Sequence, residues 1–248
     1  MTTTQPAPRN AAVSAAQSIP TYYRMLLRGQ ITRGRLVGLG VLAGISILLA
    51  FVARSDGSAD APVFVISGYS IALLIPLATL MLATPMLGNL VEDRLLVYLW
   101  LKPVPRWHLA VAAYAAVATA LLPIVVVPVT LSAVISGVSS LIVPAAIAST
   151  LGVLAYGAVY LFVGVRFSFG LWLGLLYLVL WENILSTLSD GIARLSIRGY
   201  LVTILQRGTE VDIPGADRSA WASFVIPLAV AVVAVALTAW TLAGKDVD

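Results

Sequence analysis

Six apolar runs dominate this sequence, each close to or above the roughly 20 residues that cross the hydrocarbon core of a bilayer. They extend over Leu36 to Ala53, Val63 to Leu87, Leu109 to Ile135, Leu141 to Val165, Phe167 to Leu185 and Trp221 to Ala243. A chain in lipid must satisfy its own amides and carbonyls, so runs of this length predict membrane-spanning helices. Pro76 and Pro85 lie inside the second run and Pro123 and Pro128 inside the third. Proline is tolerated there because neighbouring helices satisfy the freed carbonyls, and the third run is the one expected to bend or break. Only 10% of the 248 residues are charged and 60% are hydrophobic, where a soluble domain carries nearer a quarter charged. The expected fold is an all-α membrane protein with six transmembrane helices, preceded by an N-terminal amphipathic helix.

The remaining composition removes several chemistries. The sequence pI near 9.6 comes from scattered residues, almost all of them Arg, which read as a topology signal and give no phosphate-binding stripe, so nucleic acid is not an expected partner. There is no cysteine, and the single histidine, His108, argues against a His-built metal centre. No Ser/His pair stands in a nucleophile context, since His108 follows Trp107 on the expected cytoplasmic side. With a cytoplasmic N-terminus, Arg9, Arg24, Arg28, Arg33, Arg35, Arg94, Lys102, Arg106, Arg166 and Lys245 fall inside. Arg54, Arg194, Arg198, Arg207 and Arg218 fall outside, among the acids Asp56, Asp60, Asp190, Glu210, Asp212 and Asp217. The bias favours both termini in the cytoplasm and the chain in the inner (plasma) membrane. The expected division is a disordered tail over 1–17, an interfacial amphipathic helix over 18–35, a six-span domain over 36–243 and a short cytoplasmic tail over 244–248.

Four segments between or within the spans hold the informative residues. From Thr21 to Arg35, Tyr22, Met25 and Leu26 fall at helical spacing, with Arg24, Arg28 and Arg35 on one stripe. Such a helix lies in the membrane interface with its arginines near anionic headgroups, or serves simply as a basic juxtamembrane anchor. The inner loop from Gly88 to His108 contains Asn89 followed three residues later by Glu92, a pattern that fits a helix start. Residues Leu90 to Leu101 can then make a short helix that ends at Pro103 and Pro105. Its Leu95, Leu96, Tyr98, Leu99 and Trp100 need either a cytoplasmic partner or the membrane surface to cover them. Glu182 is an acid within a span, where it either lines a path, pairing with Arg194 or Arg198, or reaches water at the outer rim. Beyond it, Ile192, Leu195, Leu201, Ile204 and Leu205 predict one or two short amphipathic helices at the outer surface. The stretch Gly208 to Ala220 is expected to be a long polar loop. Gly40-x-x-x-Gly44 and Gly170-x-x-x-Gly174 permit close helix approach, within one subunit or between two.

The order Glu92-x-Arg94, Tyr98-Leu99, Pro103-Val104-Pro105-Arg106, set between the second and third spans, resembles the permeases of ABC-2-type transporters. The resemblance extends to span order, to the amphipathic helix before the first span and to the long connection between the fifth and sixth; its sharp part is about fifteen residues. It implies that Glu92, Arg94, Tyr98, Leu99, Pro103 and Arg106 form a coupling helix docking on an ATPase. It implies that Gly40, Gly44, Gly170 and Gly174 sit where a second permease copy or paralogue would pack. It also implies that Glu182, Arg194 and Arg198 lie near a pathway or outer gate closed by short re-entrant helices. The implied task is export of an apolar or amphipathic substrate among membrane lipids. ATP and Mg would bind in the partner, because this chain has no Gly-x-x-x-x-Gly-Lys-(Ser/Thr) loop and is expected neither to hold a cofactor nor to be an enzyme. High Ala and Arg with scarce Lys fits a GC-rich bacterial genome. Three other readings stand beside this one: a secondary transporter or channel, a membrane-embedded lipid-modifying enzyme, and an assembly factor.

Overall fold

The first apolar run forms a helix that starts ahead of its apolar stretch, at Arg33, and ends at Asp56, where Gly57 adopts a left-handed conformation with φ of 72°. Its 24 residues make a rod about 36 Å long, enough to cross a bilayer. It belongs to a computed structural model that describes residues 15–30, 32–58, 60–92, 105–180 and 196–244. The helices are α1 (Ala15–Gln30), α2 (Arg33–Asp56), α3 (Asp60–Val65), α4 (Ile75–Glu92), α5 (Arg106–Ile135), α6 (Ile142–Arg166), α7 (Gly170–Leu176), α8 (Ile197–Gln206) and α9 (Ala220–Gly244). A π-helical stretch, Ile66–Leu74, joins α3 to α4. No strand occurs among the described residues.

Five of the six expected spans are present as long apolar helices: Arg33–Asp56, Asp60–Asn89, Arg106–Ile135, Ser139–Arg166 and Ala220–Gly244. The fifth run differs. Its described part is a short apolar helix, Gly170–Leu180, and Glu182 with the rest of that run lies outside the described residues. The prolines act locally. α5 runs unbroken through Pro123 and Pro128. Pro76 follows directly on the π-helical stretch, whose wide turns bond the Ile75 amide to the Ser70 carbonyl and relieve the clash a proline ring makes four residues back.

α6 is the centre of the bundle. Ala145, Ala148, Ser149, Gly152, Ala155, Gly157 and Ala158 are all buried along it, and small side chains let α4, α5, α8 and α9 approach closely. α2 and α9 form the rim. Only 22% and 28% of their apolar cores are covered by protein, against 67% for Asp60–Asn89. Val41, Leu48 and Phe51 on α2 and Val232, Val233 and Leu237 on α9 face outward, where an apolar solvent is the environment that stabilises them. Trp221 and Trp240, 72% and 76% exposed, mark the two ends of α9 about 28 Å apart, near the thickness of a hydrocarbon core.

Two expectations change in this frame. Asn89 does not start a helix: α4 continues through it to Glu92, since no proline or glycine after Gly88 interrupts the run. α1 spans Ala15–Gln30 and not 18–35, with Arg33 and Arg35 falling in α2; of its apolar residues, Tyr22 and Leu26 are buried in the protein core beside α5, while Met25 is exposed. The short helix expected around Leu201 is present as α8, and it packs on the bundle. Tyr200 to Leu205 are buried against α6 and α9.

Candidate functional site

At one end of the bundle the helices are tied together by polar contacts across large sequence separations. The Ser18 hydroxyl on α1 and Nδ1 of His108 on α5 are 2.7 Å apart and buried. Farther along, the Tyr23 hydroxyl donates to the Thr119 hydroxyl at 3.1 Å. Two bonds at separate points fix the direction of α1 along α5, which a greasy face alone would leave free to slide. Burial raises the Tyr22 phenol above its ordinary value, because the charged form would be poorly solvated there. The Trp107 ring meets the His108 ring edge-on with centroids 4.1 Å apart. The Ser18–His108 pair is a tie and not a nucleophile: the two residues are 5% and 3% exposed, so no substrate reaches the oxygen.

Arg106 closes the same end. Its guanidinium donates to the carbonyls of Leu242 at 2.9 Å and Ala243 at 2.5 Å, the last turn of α9. Those carbonyls have no intrahelical partner and carry the negative end of the helix dipole, so an arginine is the residue type that fits. Arg24, Arg28, Arg33, Arg35 and Arg166 belong to this end too. The described acidic side chains, Asp56, Asp60, Glu210, Asp212 and Asp217, lie at the other. The two ends are therefore a basic end and an acid-bearing end.

Next to Arg166, three helices converge on glycine. A Cβ on Gly164 of α6 would collide with the Thr84 carbonyl of α4. A Cβ on Gly88 would stand 3.0 Å from the Gly164 carbonyl, and one on Gly170 would stand 2.9 Å from the Gly164 Cα. Gly174 packs on Leu80 and Tyr160. Gly170 and Gly174 are thus buried within this chain, where the close approach they permit is to α4 and α6 and not to another copy. Gly40 and Gly44 differ: both are exposed on α2, and a Cβ at either would meet nothing within 4 Å.

The interior has two polar features. Ser46 of α2 lies 3.0 Å from both Ser70 and Ser132, each hydroxyl fully buried, and Ser132 donates to the Pro128 carbonyl at 2.8 Å. The Tyr69 hydroxyl donates to the Leu42 carbonyl at 2.9 Å. Together these hold the outlying α2 on the π-helical stretch and α5, where hydrocarbon offers hydroxyls no competing partner. The second feature is aromatic. Tyr156 and Tyr160 stack at 6.0 Å, and Tyr177 meets Tyr160 edge-on at 6.4 Å, where α7 crosses α6. α8 starts with Ser196 and Ile197 buried and the Ser196 hydroxyl accepting from the Gly199 amide at 3.4 Å. Arg198 is half-buried near that start, and the Arg218 guanidinium covers the Tyr200 ring at 4.7 Å.

Of the residues singled out from sequence, Arg106 is placed on the basic end as the clasp on α9, and Glu92 ends α4 there. Arg94, Tyr98, Leu99, Pro103, Glu182 and Arg194 lie outside the described residues. Sequence reading missed the Ser18–His108 tie, whose members are 90 positions apart, and the Gly88–Gly164 contact. The latter left a faint signal: glycines just before the polar break at Asn89 and just before Arg166. Among the described residues no three His, Cys, Asp or Glu side chains group to hold a metal. No protein-family model matches the chain, and no curated protein matches it.

Proposed function

We propose that the chain is the transmembrane permease of an ATP-driven ABC-2-type exporter, with its basic end and both termini in the cytoplasm. The observation that carries this reading is the packing of the two helices that flank the motif segment. That segment joins the end of α4 at Glu92 to the start of α5 at Arg106, and both helices pack on the central α6. A push on that segment by a separate ATPase would move α4 and α5 together. The glycine seam would carry the motion to α6 and α7, and the Arg106 clasp would carry it to α9. The excess of arginine at this end supports its cytoplasmic side. An apolar or amphipathic substrate would then leave through the space between two permease copies, with exposed Gly40 and Gly44 available to that contact.

The test is purification of the tagged chain from its native membrane, followed by reconstitution in vesicles. An ATPase that copurifies, with transport of a dye or lipid that needs ATP and is lost in Glu92→Gln, supports the reading. Absence of any ATPase in the purified complex, with full transport on a proton gradient, would overturn it. That result would favour a secondary transporter, a second reading to which one observation lends weight: α8 is a short helix whose first residues, Ser196 and Ile197, are buried.

A further inference from the structure

We propose that the outer face of α1 is a binding site for the headgroup of an anionic glycerophospholipid, gripped by Arg24 and Arg28. The two arginines are one helical turn apart and both exposed. Among the described residues neither guanidinium has an ion-pair or hydrogen-bond partner, and α1 packs chiefly on α5. Between them runs a groove of about 600 Å³ lined by Pro20, Thr21, Arg24, Met25 and Arg28. It offers two guanidiniums, which match phosphate oxygens bidentately, beside the apolar Met25, which is 46% exposed.

Three features select a lipid as the occupant. α1 leads directly into α2, so the groove sits within a few turns of the first spanning helix and at the level where headgroups lie. The described carboxylate side chains, Asp56, Asp60, Glu210, Asp212 and Asp217, are at the far end of the bundle, so none of these neutralises the arginines. Most important, α1 does not need lipid to hold it. Its apolar side is bound by Tyr22 and Leu26 and pinned by the Ser18–His108 bond. A free amphipathic helix collects anionic lipid diffusely; a helix fixed to the protein presents its arginines at a set spacing and binds one headgroup in a defined place. The inference does not depend on the transport reading.

The experiment is native mass spectrometry of the full chain released from nanodiscs of phosphatidylcholine with phosphatidylglycerol. Wild type, Arg24→Gln/Arg28→Gln, Arg24→Lys/Arg28→Lys and Arg207→Gln at the opposite end are compared, each shown to be folded by its thermal transition. Each arginine near an anionic surface is worth about fivefold in affinity, so the double Gln variant should retain phosphatidylglycerol about thirtyfold more weakly. The Lys pair should recover part of the loss, and Arg207→Gln should match wild type. Equal retention by wild type and the double Gln variant overturns the proposal. So does an equal loss in Arg207→Gln, which would mean attraction to net charge alone. Displacement of the lipid by millimolar inorganic phosphate would overturn it too, by showing a site for the free anion.

Discussion

Replacing Gly164 by Ala adds one methyl group at the point where three helices meet. In an open helix interior the same change stabilises by about 0.5–1 kcal/mol, because glycine loses more conformational freedom on folding. At Gly164 the new Cβ would strike the Thr84 carbonyl, and the Gly170 backbone lies against the same residue. None of these atoms belongs to a side chain that can rotate away, so α4 or α7 must move as a unit. Overpacking of this kind costs about 1–3 kcal/mol, and with rigid backbone on two sides the upper part of that range applies. For a chain of this length each kcal/mol shifts the transition by about 2–4 °C, so Gly164→Ala should melt about 4–12 °C below wild type in the same detergent. Gly40→Ala is the internal control: a Cβ there meets nothing within 4 Å, and the variant should be unchanged or slightly stabilised. Thermal unfolding followed by tryptophan fluorescence measures both. If Gly164→Ala melts at or above the temperature of Gly40→Ala, then α4, α6 and α7 do not converge on glycine.

Ser18→Ala leaves the buried His108 ring short of a partner, which costs about 1–3 kcal/mol; hydrogen exchange over residues 15–30 should quicken while α6 stays protected, and unchanged exchange there would refute the tie. Arg106→Gln removes the cap on the last turn of α9, worth about 0.3–1 kcal/mol for a partly exposed pair. Carboxypeptidase should then trim toward Ala243 faster than in wild type, and equal trimming rates would count against the clasp. Tyr22 provides a pH test. Its phenol is raised above the ordinary 10.0, so the folded state holds the proton more tightly than the unfolded state does. The stability α1 gains from it is complete below about pH 10 and is lost as pH climbs through the raised value. Tyr22→Phe should flatten the fall in α1 protection above pH 10, and an identical fall in both proteins would refute the assignment.

Membrane residence was legible from the sequence because it depends on composition over windows of about 20 residues, and lipid imposes helix on any such window. The C-terminal ends of three long helices followed from the same logic, at Ile135 and within one residue at Arg166 and Gly244, whereas the first helix starts three residues ahead of its apolar run, at Arg33. The basic character of one end was legible too, since charges cannot hide in a span. What the outer face of α1 meets, and what its inner face meets, could not be read: an apolar stripe has the same pattern whether lipid or α5 covers it. Only the tertiary structure decided that, by putting Ser18 against His108 and Tyr23 against Thr119. It likewise decided between the two uses of a glycine pair. Gly40-x-x-x-Gly44 and Gly170-x-x-x-Gly174 are equivalent as strings, yet one faces outward and the other is filled by α4 and α6. Local sequence sets which helices form and how long they are. Which faces touch depends on contacts between residues far apart in the chain, and no single segment encodes those.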